Sequence, residues 1–141
     1  MVVADSHGVG VLSGTSNHFR LVAEMPKGLR HSRLNDAAVD PRGRVWFTSM
    51  NVAARPGEGA IFRLAEDRIE SAVENLSVPG GLAWSSDGGT IYVAEASRRV
   101  VYRADFDLDE GSIGDLVPFA KIPETDGTPD GIALDSEGSL G

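Results

Sequence analysis

Residues 83–93 read Ala-Trp-Ser-Ser-Asp-Gly-Gly-Thr-Ile-Tyr-Val, and this stretch decides the fold. A short apolar segment leads into a polar turn, and a second segment, rich in β-branched and aromatic residues, leads out of it. The aspartate of such a turn accepts backbone hydrogen bonds, and its glycine supplies a positive φ. The pattern therefore predicts a β-hairpin over residues 83–93.

The hairpin pattern occurs three times along the chain. Residues 38–47 read Ala-Val-Asp-Pro-Arg-Gly-Arg-Val-Trp-Phe, and residues 133–140 read Ala-Leu-Asp-Ser-Glu-Gly-Ser-Leu. The first residues of the three copies lie 45 and 50 positions apart along the sequence. A repeat at this interval indicates an architecture in which one supersecondary unit is stacked several times.

Further strands are predicted after each hairpin. Third strands are expected at 60–64 and 100–104, fourth strands at 69–73 and 116–122, and an earlier pair at 2–5 and 9–12. Four short strands in roughly 40–50 residues is the period of a propeller blade. The prediction is therefore an all-β protein, a β-propeller with about three blades present. A β-sandwich is the alternative fold, but it requires no such recurrence of one hairpin.

Length is the difficulty for a closed propeller. A propeller has at least four blades, and 141 residues at this interval hold about three. We expect residues 1–141 to form a single partial β-propeller domain, incomplete at both ends. Unpaired terminal strands favour pairing with another chain, so we also expect self-association through open sheet edges.

Composition excludes several classes of function. The net charge of −8 argues against nucleic acid, which requires a basic face. No apolar run approaches the ~20 residues of a membrane-spanning helix, and no signal peptide is visible, so a cytoplasmic location is favoured. The chain contains no cysteine, which excludes disulfides and thiolate zinc sites. A small neutral ligand or a cation suits the charge better.

Three stretches carry a resemblance to a known family. Residues 33–50 contain Arg-Leu-Asn-Asp, then Val-Asp-Pro-Arg-Gly-Arg, then a tryptophan and a methionine; residues 81–92 begin Gly-Leu-Ala-Trp-Ser; residues 129–138 begin Pro-Asp-Gly-Ile-Ala. In this order and spacing they resemble successive blades of the gluconolactonase and regucalcin-like (senescence marker protein) family, and Ala-Asp-Ser-His-Gly at 4–8 fits the stretch before them. The resemblance implies a six-bladed propeller about twice this length that hydrolyses sugar lactones around one divalent cation in its central channel.

Arg33 and Asn35 are the candidate substrate-binding residues. In an extended segment, positions i and i+2 lie on one face, and a guanidinium beside an amide suits a ligand with hydroxyl and carbonyl oxygens. The alternative interpretation, without a binding role, is that Arg33 is an exposed arginine and Asn35 a turn asparagine. The resemblance implies that both bind the lactone and that Asn35 also lies close to the metal as a ligand.

Asp130 is the candidate catalytic residue and metal ligand. Pro-Asp-Gly is a common turn, which is the alternative interpretation. The resemblance implies that Asp130 ligates a divalent cation, whether calcium, zinc, magnesium or manganese, and hard cations prefer such carboxylate oxygens. The same carboxylate can orient or deprotonate the attacking water.

The sequence departs from the family at the metal site. The family ligands are a glutamate of the first blade, which would precede Met1, an asparagine before Gly-Leu, and the aspartate that corresponds to Asp130. Gly80 stands at the asparagine position. Glu95 follows an inner strand and can approach the channel, and His7 is also expected near it. We therefore expect weak cation binding and an impaired enzyme.

Two functions remain open at the level of sequence. The leading hypothesis is a metal-dependent lactonase or esterase-like hydrolase of sugar lactones; the alternative, favoured by Gly80, is a non-catalytic propeller that binds a ligand or partner. The acidic residues 105–111 invite a calcium-loop interpretation, but Glu110 stands where that loop requires glycine. A hairpin turn is the better interpretation of that segment.

Overall fold

A computed structural model describes residues 2–4, 8–12, 15, 18–27, 29 and 31–141. These residues form strands and one short 3-10 turn at Glu124–Asp126. The strands are β1 Val2–Ala4, β2 Gly8–Leu12, β3 Phe19–Glu24, β4 Ser32–Val39, β5 Val45–Asn51, β6 Gly59–Ala65, β7 Arg68–Leu76, β8 Pro79–Trp84, β9 Thr90–Glu95, β10 Val100–Asp107, β11 Ser112–Ile113 and β12 Val117–Lys121. Among the described residues, no helix has the length and apolar character needed to cross a bilayer.

The strands form three antiparallel sheets, which we call blades 1, 2 and 3. Blade 1 has the order β1-β2-β3, and blade 2 has the order β4-β5-β6-β7. Blade 3 has the order β8-β9-β10, with β11 and β12 both pairing with β10. The all-β prediction and the β-propeller with about three blades are confirmed. The segments 38–47 and 83–93 are hairpins, as their sequence predicts.

The recurring turns use one device for closing the hairpin. Oδ1 of Asp40 accepts hydrogen bonds from the amides two and four residues further on, at 2.8 and 3.0 Å. Oδ1 of Asp135 accepts the same pair at 2.9 and 2.8 Å. In the middle copy the Ser85 hydroxyl accepts from the Thr90 amide at 3.0 Å. The glycine of each turn has a φ between 72° and 85°, which other residues adopt at a cost.

The hydrophobic core lies between the blades. Trp46 and Phe47 are neighbours on β5 and point to opposite faces of blade 2, and neither is exposed to solvent. Trp46 packs between blades 2 and 3, where its ring lies 5.7 Å from that of Phe106. Phe47 packs against Val9 and Ala23 of blade 1. Blade 2 is therefore buried on both faces.

The first strands of blades 2 and 3 lie at a common inner edge. β4 packs beside β8, and the Gly81 amide of β8 donates to the Asp130 carbonyl oxygen at 2.7 Å, which places the segment 130–132 next in the series. At the opposite edge β3 lies beside β7. The inner series is thus β4, β8 and the segment 130–132, and the outer series contains β3 and β7.

The acidic residues 105–111 end β10 and form the turn that leads into β11, so the hairpin-turn interpretation is correct. Three arginines of blade 2, which we call the arginine clamp, hold this turn. Arg44 Nη2 donates to the Asp109 carbonyl oxygen at 2.6 Å, and Arg63 Nη1 donates to the next two carbonyl oxygens at 2.8 and 3.1 Å. Arg42 pairs with the Asp109 carboxylate at 2.9 Å. The clamp joins blade 2 to blade 3.

Candidate functional site

Asn35 lies at the inner edge of blade 2 and reaches blade 3. Its Nδ2 donates to the carbonyl oxygen of Pro79, the first residue of β8, at 2.9 Å. Asn35 is also the extra residue of a β-bulge, because the pairing with β5 passes from Leu34 directly to Asp36. A bulge redirects a side chain at the point where it occurs, and here the redirected amide bridges two inner strands.

Arg33 is exposed and contacts a different neighbour. Its Nη2 lies 3.5 Å from the Met50 sulfur, whereas Asn35 contacts Pro79. The expectation that the two side chains share a face rested on regular strand alternation. The bulge at Asn35 interrupts that alternation, so the structure gives the two side chains separate contacts instead of a common one.

Gly80 and Asp130 lie against each other. A Cβ placed on Gly80 would be 2.7 Å from the Asp130 carbonyl oxygen and 3.1 Å from its Oδ1. The missing side chain therefore allows the segment 130–132 to approach β8 closely, and the Asp130 carboxylate lies beside the position where the family has an amide. Two residues that are 50 positions apart in the chain meet at the inner edge.

Thr48 belongs to the same region, and sequence reasoning did not identify it. Its hydroxyl is fully buried, accepts from the Asp36 amide and donates to the Gly80 carbonyl oxygen, both at 3.1 Å. It ties the bulge of β4 to β8. The available signal was a threonine within the buried run Trp-Phe-Thr-Ser-Met of β5, where an apolar residue would be ordinary.

Glu95 does not occupy the position proposed for it from the sequence. The side chain is completely buried, and its two oxygens accept hydrogen bonds from the amides of Ser77 and Val78 at 2.8 Å each. Ser97 donates a further bond from its hydroxyl at 2.8 Å. The carboxylate therefore supports the backbone that enters β8 and is not free to replace a ligand beside Gly80. Sequence spacing alone did not reveal these backbone donors.

The other candidates are placed as follows. His7 lies outside the described residues. His18 and His31 are exposed.

The donor set does not by itself fit a resident cation. In the part of the chain that the structure describes, no three His, Asp or Glu side chains converge on a point that would hold a metal ion. The inner edge offers the carboxylate of Asp130 and the amide oxygen of Asn35. Hard cations take six to eight oxygen ligands, so these residues would have to be joined by others.

The stacked sheets are blades of a β-propeller, and Asn35, Gly80 and Asp130 lie together at the edge where β4 packs beside β8. The sequence matches the SMP-30/Gluconolactonase/LRE-like region over residues 1–140, and the chain belongs to that family. It is 34% identical to a 6-deoxy-6-sulfogluconolactonase of Pseudomonas putida over 140 residues, which are 97% of this chain and 47% of that protein. It is 34% identical to a pentonolactonase of Haloferax volcanii over 110 residues, 77% of this chain and 37% of that protein.

Solved structures of regucalcin and gluconolactonase proteins are also similar to this chain. A calcium-binding protein, regucalcin, from Agrobacterium tumefaciens superimposes with a TM-score of 0.90 at 26% identity, over 99% of this chain and 48% of that one. A gluconolactonase from Xanthomonas campestris superimposes with a TM-score of 0.79 at 25% identity, over 99% of this chain and 50% of that one. The chain spans about half the length of these structures and less than half the length of the two lactonases.

Proposed function

We propose that this chain contributes half of a hydrolase that opens sugar lactones. The observation that supports the proposal is the grouping of Asn35 of β4, Gly80 of β8 and Asp130 of the segment beside β8. The Asn35 bond to Pro79 and the Gly81 bond to Asp130 hold that grouping. In a family whose relatives include proteins named as lactonases, an inner edge of this kind is where a small polar substrate would bind.

The residues suit the reaction in named roles. Arg33 and Asn35 would bind the hydroxyl and carbonyl oxygens of the lactone, because guanidinium and amide groups donate several hydrogen bonds. Asp130 is exposed and would accept a proton from a water molecule as that water attacks the carbonyl carbon. The ring C–O bond then breaks, the ring oxygen takes up a proton, and the product is an open-chain hydroxy acid.

We further propose that the chain binds divalent cations weakly and is therefore impaired as an enzyme. Gly80 has no ligand atom in its side chain, and the Glu95 carboxylate is occupied by backbone amides. Asp130 is then the principal charged ligand, and one carboxylate holds a hard cation poorly. Asp130 and Asn35 would hold a divalent cation (calcium, zinc, magnesium or manganese) together with water, and the cation would supply polarisation of the lactone carbonyl.

The second candidate function is a ligand-binding propeller without catalysis, and Gly80 favours it. A close approach between β8 and the segment 130–132 fills the space where a ligand side chain would stand. Such a module would bind a polar molecule at Arg33 and Asn35 and leave it unchanged.

Hydrolysis of glucono-δ-lactone, followed as acid release above the uncatalysed rate, separates the two functions. We expect a small rate that falls to background in Asp130→Asn. The matched control is Asp126→Asn, an exposed aspartate of the same segment, which should keep the rate. Saturable lactone binding without acid release would instead establish the binding module, and absence of both would contradict either proposal.

A further inference from the structure

Both inner strands at the junction of blades 2 and 3 are irregular where they meet. In β4 the pairing with β5 skips Asn35. In β8 the pairing with β9 advances three positions, from Pro79 to Leu82, against two on β9, so this strand also holds an extra residue. The Asn35 bond to Pro79 shows that the two irregularities lie side by side. Because a bulge leaves backbone groups outside the ladder, the junction contains donors and acceptors that need other partners.

Side chains of blade 2 supply those partners. Asn35 Nδ2 donates to the Pro79 carbonyl oxygen at 2.9 Å, and the Thr48 hydroxyl donates to the next one, that of Gly80, at 3.1 Å. The Thr48 oxygen also accepts from the Asp36 amide, the first amide after the bulge, at 3.1 Å. Thr48 and Pro79 are fully buried, so a backbone group left unpaired here would cost free energy. Thr48 thus bonds to both irregular strands through one oxygen atom.

The bond to Pro79 decides which atom of the Asn35 amide is left for a ligand. A carbonyl oxygen only accepts, so the group that faces Pro79 must be the NH2 group and not Oδ1. Asn35 is half-buried, and no donor among the described residues reaches its Oδ1. That oxygen is free to accept from a ligand hydroxyl group, and it would lose this role if the amide turned over.

We propose that Thr48 is a positioning residue that fixes this orientation of Asn35. Its hydroxyl holds the amide that follows Asn35 and also holds β8. It therefore sets both the bulge that directs the side chain and the distance to Pro79 that Nδ2 must span. A β-branched side chain is restricted at χ1, and use of its oxygen as donor and acceptor at once also fixes the rotation of the hydroxyl group.

The role of Thr48 rests on the proposed lactone site and divides the work within it. Asn35 presents Oδ1, an acceptor, to a hydroxyl group of a polyhydroxylated ligand. Arg33 is then the donor for the carbonyl oxygen, because a guanidinium group only donates.

Ser49 offers a matched control on the same strand. It follows Thr48 on β5, it is equally buried, and its Oγ has no hydrogen-bond partner in the part of the chain that the structure describes. Strand alternation places the two hydroxyl groups on opposite faces of blade 2. Ser49→Ala therefore removes a buried oxygen from β5 without breaking a bond to either bulge.

The side-chain amide signals of the full chain test the orientation directly. The chain has four asparagines and no glutamine, so a nitrogen–proton correlation spectrum shows four NH2 pairs, and Asn35→Asp identifies one by its loss. Thr48→Val, similar in shape but without the hydroxyl, should move the Asn35 pair toward the shifts of the exposed Asn75 and speed its exchange with water. Thr48→Ser and Ser49→Ala should keep the wild-type signals. An unmoved pair in Thr48→Val, or equal movement in Ser49→Ala, would overturn the proposal.

Thr48→Cys covers the case in which the valine variant does not fold, which a collapsed spectrum would reveal. A thiol fits the same space but is a weak donor and a weak acceptor. The Asn35 pair should therefore move in the same direction. A folded cysteine variant with wild-type amide signals would equally overturn the role of Thr48.

Lactone hydrolysis gives a second readout. Thr48→Val should raise KM for glucono-δ-lactone about two- to tenfold, the range of one hydrogen bond. It should leave kcat nearly unchanged, because Asn35 would hold the lactone alike before and during the reaction. Thr48→Ser should restore KM; a lower kcat with unchanged KM would contradict the positioning role. A wild-type chain that neither binds nor hydrolyses the lactone would refute the proposed function, whereas the amide spectra would still decide the role of Thr48.

Discussion

Asp40 belongs to the first copy of the repeated turn, and its carboxylate also accepts hydrogen bonds from side chains. Beyond the two turn amides, its Oδ2 accepts from the indole of Trp46 at 3.0 Å and from the Arg44 guanidinium at 3.1 Å. Burial alone would raise the pKa of Asp40, but the hydrogen bonds from Trp46, Arg44 and the Arg42 amide outweigh it and hold the pKa below its ordinary value. The folded state therefore favours the ionised carboxylate.

Asp40→Asn should lower stability at neutral pH by about 1–3 kcal/mol, because bonds to a charged acceptor are lost. The folded-state pKa lies below the unfolded one, so this contribution is present above about pH 4 and disappears as the pH falls through the folded value. Urea unfolding from about pH 2 to 7 should show the two proteins converging in acid. Asp135→Asn, which changes an exposed copy of the same turn, should cost less; equal losses would contradict the role of Trp46.

Glu95→Gln should destabilise the chain by about 1–3 kcal/mol. The glutamine places an amide group against backbone amides that need an acceptor, and a buried donor without a partner costs this much. Thermal or urea unfolding measures the loss, with Glu137→Gln as the control because that side chain is exposed. If Glu95→Gln and its control behaved alike, the structural role assigned to the carboxylate would be wrong.

Gly80→Asn should strengthen calcium binding relative to Gly80→Ala. Each variant adds a Cβ that meets the Asp130 carbonyl oxygen at 2.7 Å, so each must displace the segment 130–132. Only the asparagine adds a ligand oxygen, so the difference in calcium affinity between the two variants isolates the effect of that oxygen. Losing a group that supports a metal ligand lowers affinity about tenfold or more, and we expect a gain of at least that size. Calorimetric titration decides it; equal affinities would show that position 80 is not a ligand position.

At this scale the sequence identified two residues of the candidate site. The family motif singled out Gly80 and Asp130, and the fold brings them together. The roles of Thr48 and Glu95 depend on backbone groups of other strands, which no pattern of side chains reveals. The bulge at Asn35 was also invisible, since nothing in its own sequence marks the irregular pairing with β5.

At the scale of the element, the hairpins were predictable because turn chemistry and alternation agree locally. The contacts between elements were less predictable from the sequence. The acidic segment 105–111 was correctly predicted to be a strand end and a hairpin turn, but the arginines that bind it were not predicted. The arginine clamp binds mainly backbone carbonyl oxygens of the turn. Every residue has a backbone carbonyl, so the sequence of the turn does not indicate that arginines bind it.

Arg63→Ala should loosen the turn between β10 and β11. The variant removes two hydrogen bonds from a charged donor, each worth about 1.5 kcal/mol or more, so amide exchange in the turn should accelerate about tenfold or more. Hydrogen exchange with mass spectrometry measures the peptide around Gly111. Arg68→Ala is the control, because Arg68 shares the partner Glu70 but makes no contact with the turn. Equal acceleration in the two variants would exclude the clamp.

At the scale of the whole molecule, the repeat interval predicted the blades. Which strands are inner and outer came only from the packing of β4 on β8 and β3 on β7. Stability in such stacked arrays is the sum of the units and the contacts between neighbours. Blade 2 has a neighbour on each face within one chain, whereas the terminal blades have one.

Low concentrations of denaturant should therefore open the molecule in a fixed order. Amide exchange should rise first in blade 1 and in residues 129–141, and last in blade 2. Exchange measured over a range of urea concentrations tests this. A uniform rise across the chain would show that the blades open together and not from the ends.

The placement of the two tryptophans limits what optical methods can report. Trp46 and Trp84, the two tryptophans of the chain, lie in one cluster with ring centroids 6.3 Å apart. Intrinsic fluorescence and near-ultraviolet dichroism therefore sense the junction between blades 2 and 3. A melt followed at these wavelengths would miss the departure of blade 1 altogether. A tryptophan introduced at Phe19 would make that event visible, and non-coincident transitions from the two reporters would separate the opening of one end from global unfolding.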